Sequence, residues 1–241
     1  MCTVSFIPSR DKFIITSNRD EKNLRQKAFA PKLYQINGEK LIFPKDGEAG
    51  GTWIALKENG DVAVLLNGAF ISHVPEPPYK KSRGLELLDI LSQDRPSFYI
   101  LKKNFENIEP FTIVLFESGC LYEFRWDGTE RYYRQLSVLR PHIWSSATLY
   151  DGLEAKKREQ WLAAFLNSVP SPTQLDILNF HRSRSDDVNT RNLILNRDGI
   201  YSTVSITSIL LTSDRGSMKY LDLAGNLSTE VKLELTKTIK I

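Results

Sequence analysis

Strand-like segments in this chain come as consecutive hairpin pairs separated by helix pairs. They do not alternate one by one with helices. Thr3–Ile7 and Lys12–Ser17 flank Pro8-Ser9-Arg10-Asp11, a good turn sequence. Thr52–Lys57 and Asp61–Asn67 flank Glu58-Asn59-Gly60, with Asn-Gly at the bend. Leu85, Leu87, Leu88, Ile90 and Leu91 give a helical apolar face over Arg83–Ser92, and a second helix with Pro96 in its first turn runs to about Asn104. Strands return at Phe111–Glu117, Leu121–Trp126 and Glu130–Leu136. Helices follow from Glu154 to Asn167 and from Pro172 to His181, and a polar loop is expected over Arg182–Arg191. A last hairpin, Tyr201–Thr212 with Ser217–Leu223, bends around Asp214-Arg215-Gly216. This order argues against a doubly wound parallel sheet and for antiparallel sheets covered by helix pairs, an α+β chain.

The chain has 241 residues, of which 41% are hydrophobic and 25% charged. Folds of this size are common as single units, so one domain over 1–241 is expected. A core of that size buries roughly 70% of the unfolded surface and needs neither disulfide nor metal. The net charge is only +3, and no basic stripe carries interleaved aromatics, so nucleic acid is not an expected partner. Apolar runs such as Val62–Leu66 are too short to span a membrane. With no basic and apolar leader at the start, a cytoplasmic location is expected.

Cys2 is the most informative single residue. Once Met1 is removed, it carries both a thiol and an α-amine. An α-amine has a pKa of roughly 7.7–8.0, so part of it is neutral at cellular pH. It can then act as general base for the thiol of its own residue.

Asn18-Arg19-Asp20-Glu21 ends the second strand and returns, through the hairpin, to the neighbourhood of Cys2. Arg19 can lower a thiol pKa by its charge, and Asp20 can accept hydrogen bonds from an α-ammonium group. Asn67-Gly68 ends the fourth strand: Asn67 can offer an amide to a developing oxyanion, and Gly68 lets a backbone N–H approach. Gly50-Gly51-Thr52-Trp53 is too short for a phosphate loop and lacks a Gly-Lys-Ser ending. His73, His142 and His181 lie far apart with no metal-ligand spacing, so no metal and no cofactor are expected. Cys120 reads as structural, and Asp186-Asp187 as solvated.

Taken together, Cys2-Thr3, Asn18-Arg19-Asp20-Glu21, Gly50-Gly51-Thr52-Trp53 and Asn67-Gly68 resemble the NRDE family, whose eukaryotic members are called transport and Golgi organisation protein 2. Ser145–Tyr150 and Tyr201–Thr207 are weaker matches. The resemblance implies an N-terminal nucleophile (Ntn) hydrolase-like αββα sandwich, with two stacked antiparallel sheets between helix layers. It is similar to bile-salt hydrolases, penicillin V acylases and acid ceramidase-like enzymes. Carried over, it makes Cys2 the nucleophile, Arg19 and Asp20 its positioning groups, and Asn67 an oxyanion-hole residue. Two departures stand out. Ser146 occupies the place of an acylase Asn, and Tyr201-Ser202-Thr203-Val204 replaces Tyr-Gly-Thr-Arg. A serine donor is shorter than an amide, and the missing arginine removes a fixed cation with up to five donors.

The resemblance implies an N-terminal-cysteine amidohydrolase or acyltransferase acting on the C–N amide bond of a small acylated substrate. An alternative is a non-catalytic carrier holding haem or an apolar, lipid-like ligand in the same cleft, with Cys2 as a thiolate ligand to iron. A third reading is a structural protein with a vestigial cleft.

Overall fold

The computed structural model describes residues 3–184 and 192–239. Strands β1 (Thr3–Ser9) and β2 (Lys12–Lys22) open the chain as a hairpin. The four-residue turn expected at Pro8–Asp11 is shorter: β1 continues through Ser9, and only Arg10 and Asp11 make the bend, with Arg10 at φ 54°. Pro8 is tolerated because it lies past Phe6, where pairing with the strand on the other side stops, so its missing N–H costs no ladder hydrogen bond there.

Strands β3 (Phe29–Ile36) and β4 (Glu39–Lys45) follow, joined by Asn37-Gly38 with both residues at positive φ. That is the two-residue hairpin geometry that Asn-Gly favours. Next come β5 (Ile54–Lys57), β6 (Val62–Asn67), α1 (Arg83–Leu91), α2 (Pro96–Lys102), β7 (Phe111–Glu117), β8 (Cys120–Trp126) and β9 (Arg131–Leu136). The chain then forms β10 (His142–Ser145), α3 (Gly152–Ser168), α4 (Gln174–His181), β11 (Asn196–Arg197), β12 (Tyr201–Leu211), β13 (Arg215–Asp222) and β14 (Leu227–Glu234).

Helix starts follow their caps. Asp151 with Glu154, and Thr173 with Asp176, form reciprocal capping boxes. These begin α3 two residues before Glu154, and begin α4 after Pro172 and Thr173 rather than at Pro172.

The strands form two antiparallel sheets. One has the order β10-β1-β2-β12-β13-β14, with β11 beside β12; the other runs β3-β4-β5-β6-β7-β8-β9. The sheets stack through their inner faces, where Phe6 and Phe13 meet Phe116 at ring-centre distances of 6.0 and 5.0 Å. Leu56, Leu211 and Met218 belong to the same buried cluster. Each such side chain contributes about 1.5–3 kcal/mol on burial. Helices α1 and α2 cover the outer face of the second sheet. Helices α3 and α4 cover the first, where Ile7 and Ile14 pack with Leu162, Phe165, Ile177 and Phe180. The result is the αββα sandwich, built from α+β segments as expected. Among the described residues, no helix is long and apolar enough to cross a membrane.

Candidate functional site

Strand β2 separates its polar residues by simple alternation. Successive side chains on a strand point to opposite faces. Asn18 and Asp20 therefore face the helix layer, whereas Arg19 and Glu21 line a cleft of about 460 Å³ that opens on the other side. Trp53, Asn67, Arg83 and Glu109 also line it. Arg19 and Asn67, expected together from sequence, do share this cleft.

Arg19 is only 3% exposed. Its Nη2 donates to Oδ2 of Asp46 at 2.6 Å, and its guanidinium lies 4.6 Å from the Trp53 ring centre. Asp46 also accepts from Arg25 through Nε (3.0 Å) and Nη2 (2.9 Å), and from the backbone N–H of Ala49 (2.7 Å). Burial alone would push the Asp46 carboxyl up. The hydrogen bonds from Arg25 and Ala49, with the charges of Arg25 and Arg19, outweigh burial and hold it below its ordinary 3.8.

Trp53 is held in place by the Gly50-Gly51-Thr52 segment before it. A Cβ on Gly51 would sit 2.5 Å from the carbonyl carbon of Gly84, so only glycine lets this loop rest on the start of α1. The Thr52 N–H donates to the Gly84 carbonyl at 3.3 Å, and the Thr52 hydroxyl to the Pro44 carbonyl at 2.6 Å. The motif thus works as a close backbone-to-backbone contact. Beside it, Arg83 pairs with Glu109 at 2.9 Å and donates to the Pro110 carbonyl at 3.1 Å. Burial pushes the Arg83 guanidinium below its ordinary value, against the opposing charge of Glu109.

Asn67 sits at the end of β6, and its main-chain carbonyl accepts from the Ser146 hydroxyl at 2.8 Å. Ser146 is fully buried, and its Oγ also meets the Thr148 Oγ1 at 2.9 Å. Gly68 has φ +79°, and a Cβ there would meet Thr148 Cγ2 at 3.1 Å. Its N–H donates to the Pro110 carbonyl at 3.0 Å. The expectation that this N–H approaches a ligand is therefore corrected: it is already engaged within the fold.

Asp20 lies apart from Arg19, across the sheet. It accepts from the Tyr150 hydroxyl at 2.9 Å and from the Thr203 hydroxyl. Tyr150 carries the Arg158 guanidinium 3.5 Å above its ring. Val204, where the resemblance puts an arginine, falls where the β2–β12 register slips between Thr203 and Ser205. Asn18 is a structural clamp: its amide donates to the carbonyls of His181 and Leu193 at 3.2 and 2.8 Å.

Cys2, the expected nucleophile, lies outside the described residues, as do Met1 and Asp186-Asp187. The described strand starts at Thr3, which pairs with Asn18 on one side and Ser145 on the other. Cys120 is a half-buried free cysteine at the start of β8. Among the described residues, no group of three or more His, Cys, Asp and Glu side chains is arranged to hold a metal ion. Sequence reasoning misses Asp46, Arg83 and Tyr150. Asp46 belongs to none of the motifs singled out in the sequence; only the fold turns it toward Arg19.

The model of one protein family, described as transport and Golgi organisation 2, matches residues 1–222. A search of curated protein sequences finds no match. Among solved structures, a Caenorhabditis elegans N-acylethanolamine-hydrolyzing acid amidase ortholog superposes with a TM-score of 0.60 at 10% identity, over 86% of this chain and 92% of that one. At that identity the likeness establishes the fold. Two single-residue variants of the conjugated bile acid hydrolase of Clostridium perfringens give TM-scores of 0.47 and 0.49. Both are 10% identical and cover 100% of this chain and 99% of theirs.

Proposed function

The chain belongs to the transport and Golgi organisation 2 family, and from that premise we propose that it is an N-terminal-cysteine amidohydrolase or acyltransferase acting on the C–N amide bond of a small acylated substrate. The observation that carries this reading is the cleft shared by Arg19 and Asn67 beside the N-terminal strand. Cys2 is bonded to Thr3, and the strand partner of Thr3 is Asn18, the chain neighbour of Arg19. Even-numbered residues of β1, Val4 and Phe6, belong to the inter-sheet cluster, the side on which Arg19 meets Trp53. The proposal places the Cys2 thiol on that side, next to Arg19.

In this mechanism the α-amine of Cys2 takes the thiol proton and the sulfur attacks the amide carbonyl. A C–S bond forms, the C–N bond breaks, and the departing amine leaves with the proton. Water, or an acceptor amine, then releases the acyl group. Arg19 favours the thiolate by its charge, and the Asn67 amide donates to the developing oxyanion. Asp20 orients the α-amine from the opposite face. Ser146 acts as a positioning residue, because its hydroxyl is given to the Asn67 carbonyl. The alternative of a haem or lipid carrier draws less support from this cleft, whose lining includes Arg19, Glu21, Arg83 and Glu109.

The test is a panel of N-acyl amides mixed with protein whose Met1 has been removed. An acyl mass increment on Cys2, absent in Cys2→Ala, is the expected result. No adduct and no turnover across the panel, with stoichiometric binding of haem or lipid, would favour the carrier instead.

A further inference from the structure

Asp46 is shared between two arginines of unequal exposure. It receives Arg19, which is buried, at 2.6 Å, and Arg25, whose side chain is 28% exposed, at 2.9 Å. Both arginines and Asp46 line the same cleft. Arg19, Arg25 and Asp46 alone sum to one positive charge beside Trp53; with Glu21 and Glu48, the cluster holds two arginines against three carboxylates. Glu21 stands 3.7 Å from Arg19 and 3.5 Å from Arg25, and Glu48 stands 3.6 Å from Arg25. No motif named in the sequence includes Asp46 or Arg25.

We propose that Asp46 and Arg25 form a positioning pair that sets how much of the Arg19 charge the Cys2 thiol feels. The inference rests on the cysteine reading above. Its geometry is plain: Asp46 holds the Arg19 guanidinium over the Trp53 ring, while Arg25 competes for the same carboxylate through two nitrogens. Charges act over several ångströms in a partly buried cleft, so removing either partner changes the field at the thiol. The two partners act with opposite sign. Loss of the Asp46 charge leaves Arg19 less neutralised and favours thiolate. Loss of the Arg25 charge leaves Asp46 to Arg19 alone and disfavours thiolate. A pair that only held the loop in shape would not give opposite signs.

The experiment measures the alkylation rate of Cys2 by iodoacetamide across pH, in full-length Met1-processed protein carrying Cys120→Ser. Asp46→Asn keeps the shape and an acceptor oxygen but removes the charge; its midpoint is expected to fall by about half a unit to one unit. Arg25→Ala is expected to raise the midpoint by a similar amount, and its partly exposed position makes a folded protein the expected product. Glu48→Gln, on the far side of Arg25, is expected to move the midpoint by less than either. Shifts in the same direction for Asp46→Asn and Arg25→Ala, or no shift in a folded variant, would overturn the inference. Opposed shifts combined with no acyl adduct on any N-acyl amide would leave this charge pair standing and remove the amidohydrolase reading.

Discussion

The hydroxyl of Ser146 donates to the main-chain carbonyl of Asn67 at 2.8 Å, tying the end of β6 in one sheet to the residue after β10 in the other. Two further polar links join the sheets nearby, Arg19 to Asp46 at 2.6 Å and the Trp144 indole N–H to Glu123 at 2.6 Å. The Ser146 bond differs in acting on the Asn67 main chain itself, and so bears directly on where Asn67 meets the cleft. It also gives a physical role to a serine that stands where the resemblance to acylases puts an amide.

Ser146→Ala should leave the Asn67 carbonyl without that donor. A buried acceptor stripped of its partner costs about 1–3 kcal/mol. We expect a lower urea midpoint with an unchanged m-value, and a loss of turnover larger than the stability loss explains, because Asn67 is released. Unchanged stability would mean that Thr148, 2.9 Å from the Ser146 oxygen, takes over the bond.

Glu123 gives a pH prediction. It is buried and accepts from Arg125 (2.9 Å), Arg134 (3.0 Å) and the Trp144 indole N–H (2.6 Å). Burial pushes its carboxyl up, but the hydrogen bonds and charges of the two arginines, with Trp144, bring it below its ordinary 4.5. A carboxyl lowered in the folded state contributes stability that is complete above the unfolded value. That contribution is lost as pH falls through the folded one. Glu123→Gln should therefore flatten the acid side of the stability curve below about pH 4.5, as read by chemical denaturation at stepped pH. Equal acid slopes in both proteins would place the titration elsewhere.

His181 acts over a higher pH range. It is fully buried, and burial lowers its pKa from 6.5 to about 3. Because the Asn18 amide nitrogen serves two carbonyls, its oxygen accepts from the His181 Nδ1–H at 2.7 Å, and Nε2 accepts from the Ser5 hydroxyl at 2.8 Å. The folded protein keeps the ring neutral while the unfolded chain protonates it. Stability should be complete above pH 6.5 and fall by up to about 1.4 kcal/mol per pH unit from there toward pH 3. In His181→Gln the difference from the parent should shrink steadily as pH drops. A constant difference from about pH 7 to about pH 4 would contradict a neutral buried ring.

How much of this is visible in sequence depends on how local each signal is. The hairpin at Asn59-Gly60 and the Leu85–Leu91 stripe carry their turn chemistry and period within a few residues, and both elements are legible. Strands β3 and β4 surround an equally good Asn37-Gly38, yet β3 is largely exposed along its length, so hydrophobic alternation does not mark it. Strand β14 is an edge strand with five of its eight residues exposed; Val231 and Leu233 do alternate with charged residues there, but the run is short and its inner side chains are only partly buried. Within the site, that Arg19 and Asn67 share one cleft comes from the stacking of the two sheets that carry β2 and β6. Arg19 and Asn67 themselves are legible because each belongs to a short motif, Asn18–Glu21 and Asn67-Gly68. Asp46 and Arg83 are not, since nothing near them in sequence says that a turn and a helix start will face Arg19. The one-residue alternation that parts Arg19 from Asp20 is implicit in the strand assignment, although the sequence reading gives the two residues one shared role.

In the proposed mechanism the α-amine of Cys2 is the base. An amide nitrogen takes no proton at neutral pH, so blocking the N-terminus removes the base while leaving the Cys2 thiol in place. Retaining Met1, or adding an N-terminal tag, should abolish turnover and leave the melting temperature nearly unchanged, because β1 begins its described pairing at Thr3 with Asn18 and Ser145 whatever precedes it. Cys2→Ala should be equally inactive, and Cys2→Ser should keep at most a trace, since a hydroxyl is a far weaker acid than a thiol. The block should also raise the pH at which iodoacetamide labels Cys2, through loss of the neighbouring ammonium charge. If tagged protein turns over substrate as fast as processed protein, the α-amine is dispensable. A different base must then be sought among the groups around Arg19, even with Cys2 still the nucleophile.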